Sequence, residues 1–233
     1  MKSISVVLLV LLSASVAFAQ SAKVDVVPLN IGGVSMSFPL ERDEAGVVPP
    51  VEGATAYVQA VMGKQMRFTQ CFFVLEAEYR RKLTSGRATT ESEDRKGLRS
   101  MIVVTSQACD AGFLRAARDA ALASTRDKRA LADRLKEVQA RVAKDGGGAV
   151  SPLKVSPAEA AEQIGPVGLI AESPRSFTVG VGSNDAVLIS TYVCAESLLV
   201  VFVQWTDQKG FPHCIERAKA FTDTVVSQTR STR

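Results

Sequence analysis

The sequence predicts an α+β fold: a mainly antiparallel sheet flanked by helices, an α/β/α sandwich, with one long helix at about 110–144. Two observations carry this. Four strand-like runs toward the C-terminus, "VGLIA", "SFTVGVG", "AVLISTYVC" and "SLLVVFVQW", are joined by hairpin-length turns at 172–174, 183–185 and 195–197. Such short joints suit antiparallel neighbours, since a parallel pair needs a crossover. Between Asp110 and Lys144 there is no proline, no glycine follows Gly112, and alanine, leucine, arginine and lysine dominate, the composition of an uninterrupted helix. Strand runs bracketed by helical segments give a sheet with helices packed on it.

The opening stretch, "MKSISVVLLVLLSASVAFA", sets Lys2 before an apolar run from Ile4 to Leu12 and ends on the small-x-small triplet Ala17-Phe18-Ala19. That is the pattern of a cleavable signal peptide, residues 1–19, with cleavage before Gln20. The apolar run is too short to cross a bilayer, and no other stretch approaches about 18 uninterrupted apolar residues. No cysteine follows the cleavage site to carry a lipid. The expectation is an exported protein, periplasmic or secreted, with no transmembrane anchor in its mature form. Residues 20–233 read as a single α+β domain, with an N-terminal half 20–144, a linker 145–157 ("DGGGAVSPLKVSP") and a C-terminal half 158–233.

Val24 and Val26, then Val34, Met36 and Phe38 beyond the Gly32-Gly33 turn, alternate with polar or small residues as half-buried strands do. Pro39 and "ERDEAGVVPP" (41–50) read as a loop, and 52–63 as a short helix with Ala56, Val58, Ala60 and Val61 among its apolar positions. "MRFTQCFFVLEAEY" (66–79) reads as a strand whose Cys71, Phe73 and Leu75 face the core, although Phe68, Phe72, Leu75 and Tyr79 also fit a helix. The charged "RRKLTSGRATTESEDRKG" (80–97) reads as a solvated loop and "SMIVVTSQ" (100–107) as a strand.

In the long helix Leu114, Ala117, Ala121, Ser124, Lys128, Leu131, Leu135, Val138 and Val142 keep a 3,4 spacing. Such a helix runs about 50 Å, longer than a domain of this size is wide, roughly 45 Å. It therefore either bends near Ser124-Thr125 or projects. A projecting arm would allow self-association, whereas the lysine in the seam favours a surface helix lying across the sheet. A short helix near 158–163 precedes the four later strands, and a closing helix runs from Pro212 to Gln228.

The order of "VSMSFPLE", a helix, an apolar strand, a long charged helix, "GLIAESPRSFTVGV…AVLISTYVCAESLLVVFVQ" and a closing amphipathic helix resembles that of exported bacterial PsbP-like proteins. These group with the Mog-type Ran-binding proteins in one α/β/α sandwich superfamily. The resemblance is one of pattern and covers most of the mature chain. It implies the sandwich fold and a binding or assembly role with no shared catalytic site. It explains neither the interrupted long helix nor the four cysteines.

G-x-S-x-G, H-E-x-x-H, the P-loop and the dinucleotide fingerprint are all missing, so no catalytic residue is singled out. "GVGSN" (180–184) and "GGG" (146–148) do not sit between a strand and a helix as a phosphate cradle must. No cofactor is expected, and nothing clusters as a metal site. The net charge of +4, from 28 Lys and Arg against 24 Asp and Glu, is spread along the chain and gives no reason to expect nucleic acid as a partner.

The single histidine, His213, adjoins Cys214 in "PHCI". Pro212 opens the closing helix, and neighbours on a helix do not face each other. Cys214 therefore joins an apolar stripe with Ala218, Phe221 and Val225, and His213 a more polar one with Arg217, Ala220 and Thr224. A Cys–His dyad is not expected, and His213 reads as a surface or rim residue.

Cys71, Cys109, Cys194 and Cys214 are even in number and show no C-x-x-C spacing. In an oxidising compartment they are expected to form structural disulfides. Of three connectivities, Cys71–Cys109 with Cys194–Cys214 is preferred. A strand pairing centred near Thr89 brings the first pair within about two positions, and the last helix packs back along the hairpin after Cys194; distance along that helix argues against the second pair. Trp205, Phe211 and Pro212, at a strand-to-helix corner, form the candidate partner surface. The function expected is an exported, non-enzymatic binding, assembly or interaction protein whose partner is another protein. The alternatives are a periplasmic hydrolase using carboxylates or a serine with His213, and an oligomeric structural protein joined through the long helix.

Overall fold

Three runs in the chain, "CFFVL", "MIVV" and "LLVVFV", are apolar at every position. A strand presents successive side chains to opposite faces, so runs of this kind need cover on both sides. The computed structural model provides it. It describes residues 22–24, 26–48, 54, 55, 58, 62, 66–87, 97–126, 168–183, 186–205 and 210–230. The expected signal peptide, the linker, the short helix near 158–163 and the long helix beyond Arg126 lie outside the described residues.

In chain order the elements are β1 (Ala22–Val24), β2 (Val26–Ile31), β3 (Val34–Pro39), β4 (Glu44–Val48), β5 (Phe68–Glu76), α1 (Ala77–Thr84), β6 (Leu98–Ala108), α2 (Ala111–Arg126), β7 (Gly168–Ser173), β8 (Ser176–Ser183), β9 (Ala186–Ala195), β10 (Leu198–Trp205) and α3 (Gly210–Arg230). Residues 54, 55, 58 and 62 are also helical, within the expected helix 52–63. Eight strands form one sheet in the order β1-β4-β5-β6-β10-β9-β8-β7, and β2 and β3 form a separate hairpin. Every neighbouring pair is antiparallel. The fold is thus α+β, a mostly antiparallel sheet with helices packed against it, as the turn lengths predict. The central β6–β10 pairing joins strands from both halves of the chain.

Alternation along the central strands divides the core in two. Cys71, Phe73, Leu75, Met101, Val103, Val201 and Val203 point to the face carrying α1, α2 and residues 54 and 58. Phe72, Val74, Ile102, Val104, Val200 and Phe202 point to the face covered by the β2–β3 hairpin and α3. On α3 the stripe Cys214, Ala218, Phe221 and Val225 is buried throughout, as the 3,4 spacing predicts.

The hairpin is fixed at its tip. Gly32 and Gly33 adopt φ +59 and +88, the left-handed pair that a two-residue turn requires. A Cβ on Gly32 would collide with the Glu196 side chain, so the hairpin tip lies against the β9–β10 turn. Nearby, the Gln70 side-chain amide bonds Asn30 in both directions: its Oε1 accepts from the Asn30 N–H at 3.0 Å, and its Nε2 donates to the Asn30 carbonyl at 2.6 Å.

Two segments differ from expectation. The stretch 41–50, expected as a loop, contains β4, which fills the slot between β1 and β5 and buries Ala45 and Val47. The charged segment from 80, also expected as a loop, begins inside α1. The Glu76 carboxylate caps that helix by accepting from the Glu78 and Tyr79 N–H groups, and Tyr79 and Leu83 bury one turn apart. The strand reading of 66–79 therefore holds through Glu76; Phe68, Phe72 and Leu75 of the helical alternative lie on β5, and only Tyr79 is helical.

Candidate ligand cleft and its neighbouring cysteines

A cleft of about 520 Å³ opens on the α2 face, between α2 and the β7–β8 hairpin. Ala111, Leu114, Arg115 and Arg118 form one wall. Glu172, Ser173, Pro174, Ser176 and Phe177 form the other. α2 starts where it does because Asp110 caps it, its Oδ1 accepting from the Phe113 N–H at 2.7 Å. The i, i+4 spacing then brings Leu114 and Arg118 onto one side.

The opposite wall is built by a tight turn. Ser173 pairs with Ser176 across the hairpin, and their hydroxyls bond each other at 2.8 Å. Phe177 is buried and stacks on Tyr192 at a centroid distance of 4.5 Å. Arg118 bridges the walls, donating to Glu172 and, at 2.9 Å, to Asp119. Asp119 first, then Glu172, push the Arg118 pKa up and hold it charged. Arg175, in the turn, reaches away from the cleft. It donates to the Cys194 carbonyl at 3.1 Å and to Thr229 Oγ1 of α3 at 3.2 Å.

No disulfide joins the four cysteines, and the structure brings together a pair other than the two preferred. Cys71 stands opposite Val103 on β6, six residues short of Cys109, which is about 20 Å along a strand. The register is centred near 87 rather than 89. Cys194 packs with the α2 face. Cys214 sits on α3, where its carbonyl accepts from Gln204 Nε2 at 3.0 Å across the other face. Cys109 and Cys194 do meet. The Cys109 N–H bonds Ser197 O at 2.8 Å in the β9–β10 turn, the Cys194 thiol donates to the Cys109 carbonyl at 2.9 Å, and the pair stands 3.1 Å apart and unbonded.

His213 is more engaged than a rim residue. Its Nε2 stands 2.9 Å from Glu41 Oε1, and Arg217, one turn on, places Nη1 3.0 Å from Glu41 Oε1 and 2.8 Å from Glu44 Oε2. The Arg217 guanidinium also lies over the Phe38 ring at 5.3 Å. The polar stripe read from the sequence thus ties the first turn of α3 to the β3–β4 connection.

Of the proposed partner surface, Phe211 and Pro212 are exposed at the start of α3. Trp205 ends β10 opposite Leu188, and its side chain lies outside the described residues. Among the described residues no group of His, Cys, Asp or Glu is placed to hold a metal ion, and no helix is long and apolar enough to cross a membrane.

Sequence reasoning missed the cleft. Its one local sign is "ESPRS", where a Ser-Pro-Arg-Ser turn faces arginines at 115 and 118, and nothing in the sequence pairs these two segments. Comparison of the chain with protein families, with curated proteins and with solved structures finds no match.

Proposed function

We propose that this is an exported, periplasmic binding and assembly module without catalysis of its own, and that the cleft between α2 and the β7–β8 hairpin is its working surface. The observation that carries the reading is the chemistry of the lining. Leu114, Pro174 and Phe177 give an apolar floor, with Arg115 and Arg118 above it. Guanidiniums recognise carboxylates and do not exchange protons near neutral pH. Glu172 is bound to Arg118, and the two serine hydroxyls are bound to each other. These are recognition groups held in place, with none poised to attack or to move a proton.

The partner that fits is a segment of another protein that sets an apolar side chain on the floor and a carboxylate against Arg115. The PsbP-like resemblance, which implies binding or assembly, supports the same reading. A photo-crosslinking side chain placed at the exposed Ala111 in the cleft wall tests it, with the exposed Lys219 on α3 as control. The mature protein, with its N-terminus at Gln20, is expected to give a discrete protein adduct from position 111 in periplasmic extract. That adduct should be absent from position 219 and lost when Ser176→Trp fills the cleft. No adduct, or equal labelling from both positions, overturns the proposal.

A further inference from the structure

Cys109 and Cys194 close a contact between distant parts of the chain, 85 residues apart in sequence. Cys109 follows β6 and immediately precedes the Asp110 cap of α2, while Cys194 lies near the end of β9. Both belong to the α2 face. The other two cysteines lie elsewhere in the fold. Cys71 is separated from Cys194 by the width of β6 and β10, three strand spacings or about 14 Å. Cys214 lies on the opposite face with α3. A disulfide needs Cα atoms within about 7 Å, so the fold allows one pairing among the four.

We infer that Cys109 and Cys194 are a disulfide-forming site, and that the folded protein carries this single bond while Cys71 and Cys214 stay thiols. The bond would anchor the start of α2, and with it one wall of the cleft, to the β9–β10 hairpin.

The reaction is thiol–disulfide exchange with an external disulfide, that of an oxidoreductase or of oxidised glutathione. Cys194 is the more exposed of the two. Its thiolate attacks the external disulfide, forming a mixed disulfide and releasing one thiol. Cys109 then loses its proton and attacks the Cys194 sulfur, expelling the second thiol. The protein loses two hydrogens, and the oxidant becomes two thiols. Burial and the Cys194 thiol beside it raise the pKa of Cys109, which makes the second step the slower one.

The four cysteines fall in four tryptic peptides, 68–80, 100–115, 176–209 and 210–217, so mapping without reduction reads the connectivity directly. After the mature protein is incubated with oxidised glutathione, the expected product is a link between 100–115 and 176–209. Cys71 and Cys214 should be alkylated only after denaturation. Four alkylated cysteines, or any link through Cys71 or Cys214, overturns the inference. As a second measurement, reduction should lower the Tm of wild type by roughly 10 °C, as expected for a loop of this length, and leave Cys194→Ser unmoved. An equal fall in both also overturns it. If Cys194→Ser does not fold, the peptide map decides alone.

Discussion

The two faces of the sheet are lined by the same strands, yet they close differently. On the α3 face Phe38, Phe202 and Phe221 pack ring against ring at 5.4, 5.4 and 4.6 Å. Gln204 reaches from the sheet to the helix, and Arg217 and His213 tie the helix start to Glu41 and Glu44. On the α2 face the helix buries Leu114, while Phe113, Ala117, Ala121 and Leu122 are only partly covered. A helix closes a face as far as its large side chains reach. On the side turned to the β7–β8 hairpin, α2 carries Ala111, Leu114, Arg115 and Arg118, and the cleft lies between them and the hairpin. The α3 stripe carries Phe221 and Val225 into the core against Phe38 and Phe202.

Truncating one large side chain on each helix tests this contrast most strongly. Phe221 is fully buried between two other rings, so Phe221→Ala is expected to cost about 4 kcal/mol. Leu114 is also buried but borders the cleft, where water can enter the space left behind, and Leu114→Ala is expected to cost about 2.5 kcal/mol. Urea unfolding of the two variants gives the difference. Equal losses would mean that α2 packs as tightly as α3.

Next in size is the ionic tie of α3. Arg217 and Glu44 are 11% and 6% exposed in their side chains, so removing one charge strands the other in a poorly solvated place. Arg217→Met is expected to cost about 3 kcal/mol, and adding Glu44→Gln should recover part of that loss. Arg217→Lys should not rescue, because an ammonium cannot lie flat on Phe38 while meeting two carboxylates. A double variant less stable than Arg217→Met alone would show that Glu44 acts through other contacts.

The contrast also marks what the sequence makes legible. Apolar runs bounded by hairpin-length turns and 3,4 spacing are local signals, so β6, β8 to β10 and the buried stripe of α3 can be read directly, while for β5 they leave a helix open as well. The placement of His213 beside Arg217 on one stripe also follows from spacing, although their meeting with Glu41 does not, since that depends on where the β3–β4 connection lies. β4 escapes because "EAGVV" is short and stands between a charged turn and two prolines. Only its slot between β1 and β5 makes it a strand. The cysteine pairing fails for a similar reason. It rests on a strand register centred near 89, whereas the pairing of β5 with β6 sets Cys71 opposite Val103. The cleft lies between segments more than fifty residues apart, and no periodicity links them.

The smallest expected effect concerns the α2 face and is read through pH. Burial pushes the Cys71 thiol above its ordinary value of 9.0, because the thiolate has no solvent or cation to hold it. In the unfolded chain the same thiol ionises near 9.0. A group whose pKa is higher in the folded state supports the fold fully below its unfolded value, and that support is lost as pH rises toward the folded value. Between pH 9 and 10.5, reduced wild type should therefore lose stability faster than Cys71→Ala, by a margin that grows from about 0.7 toward about 1.4 kcal/mol per pH unit. Lysines and tyrosines titrate in both proteins and cancel in the comparison. Urea melts at half-unit intervals measure the two slopes. Parallel slopes would place Cys71 in contact with water, and the α2 face would then be open beneath the sheet-covering helices as well as beside them.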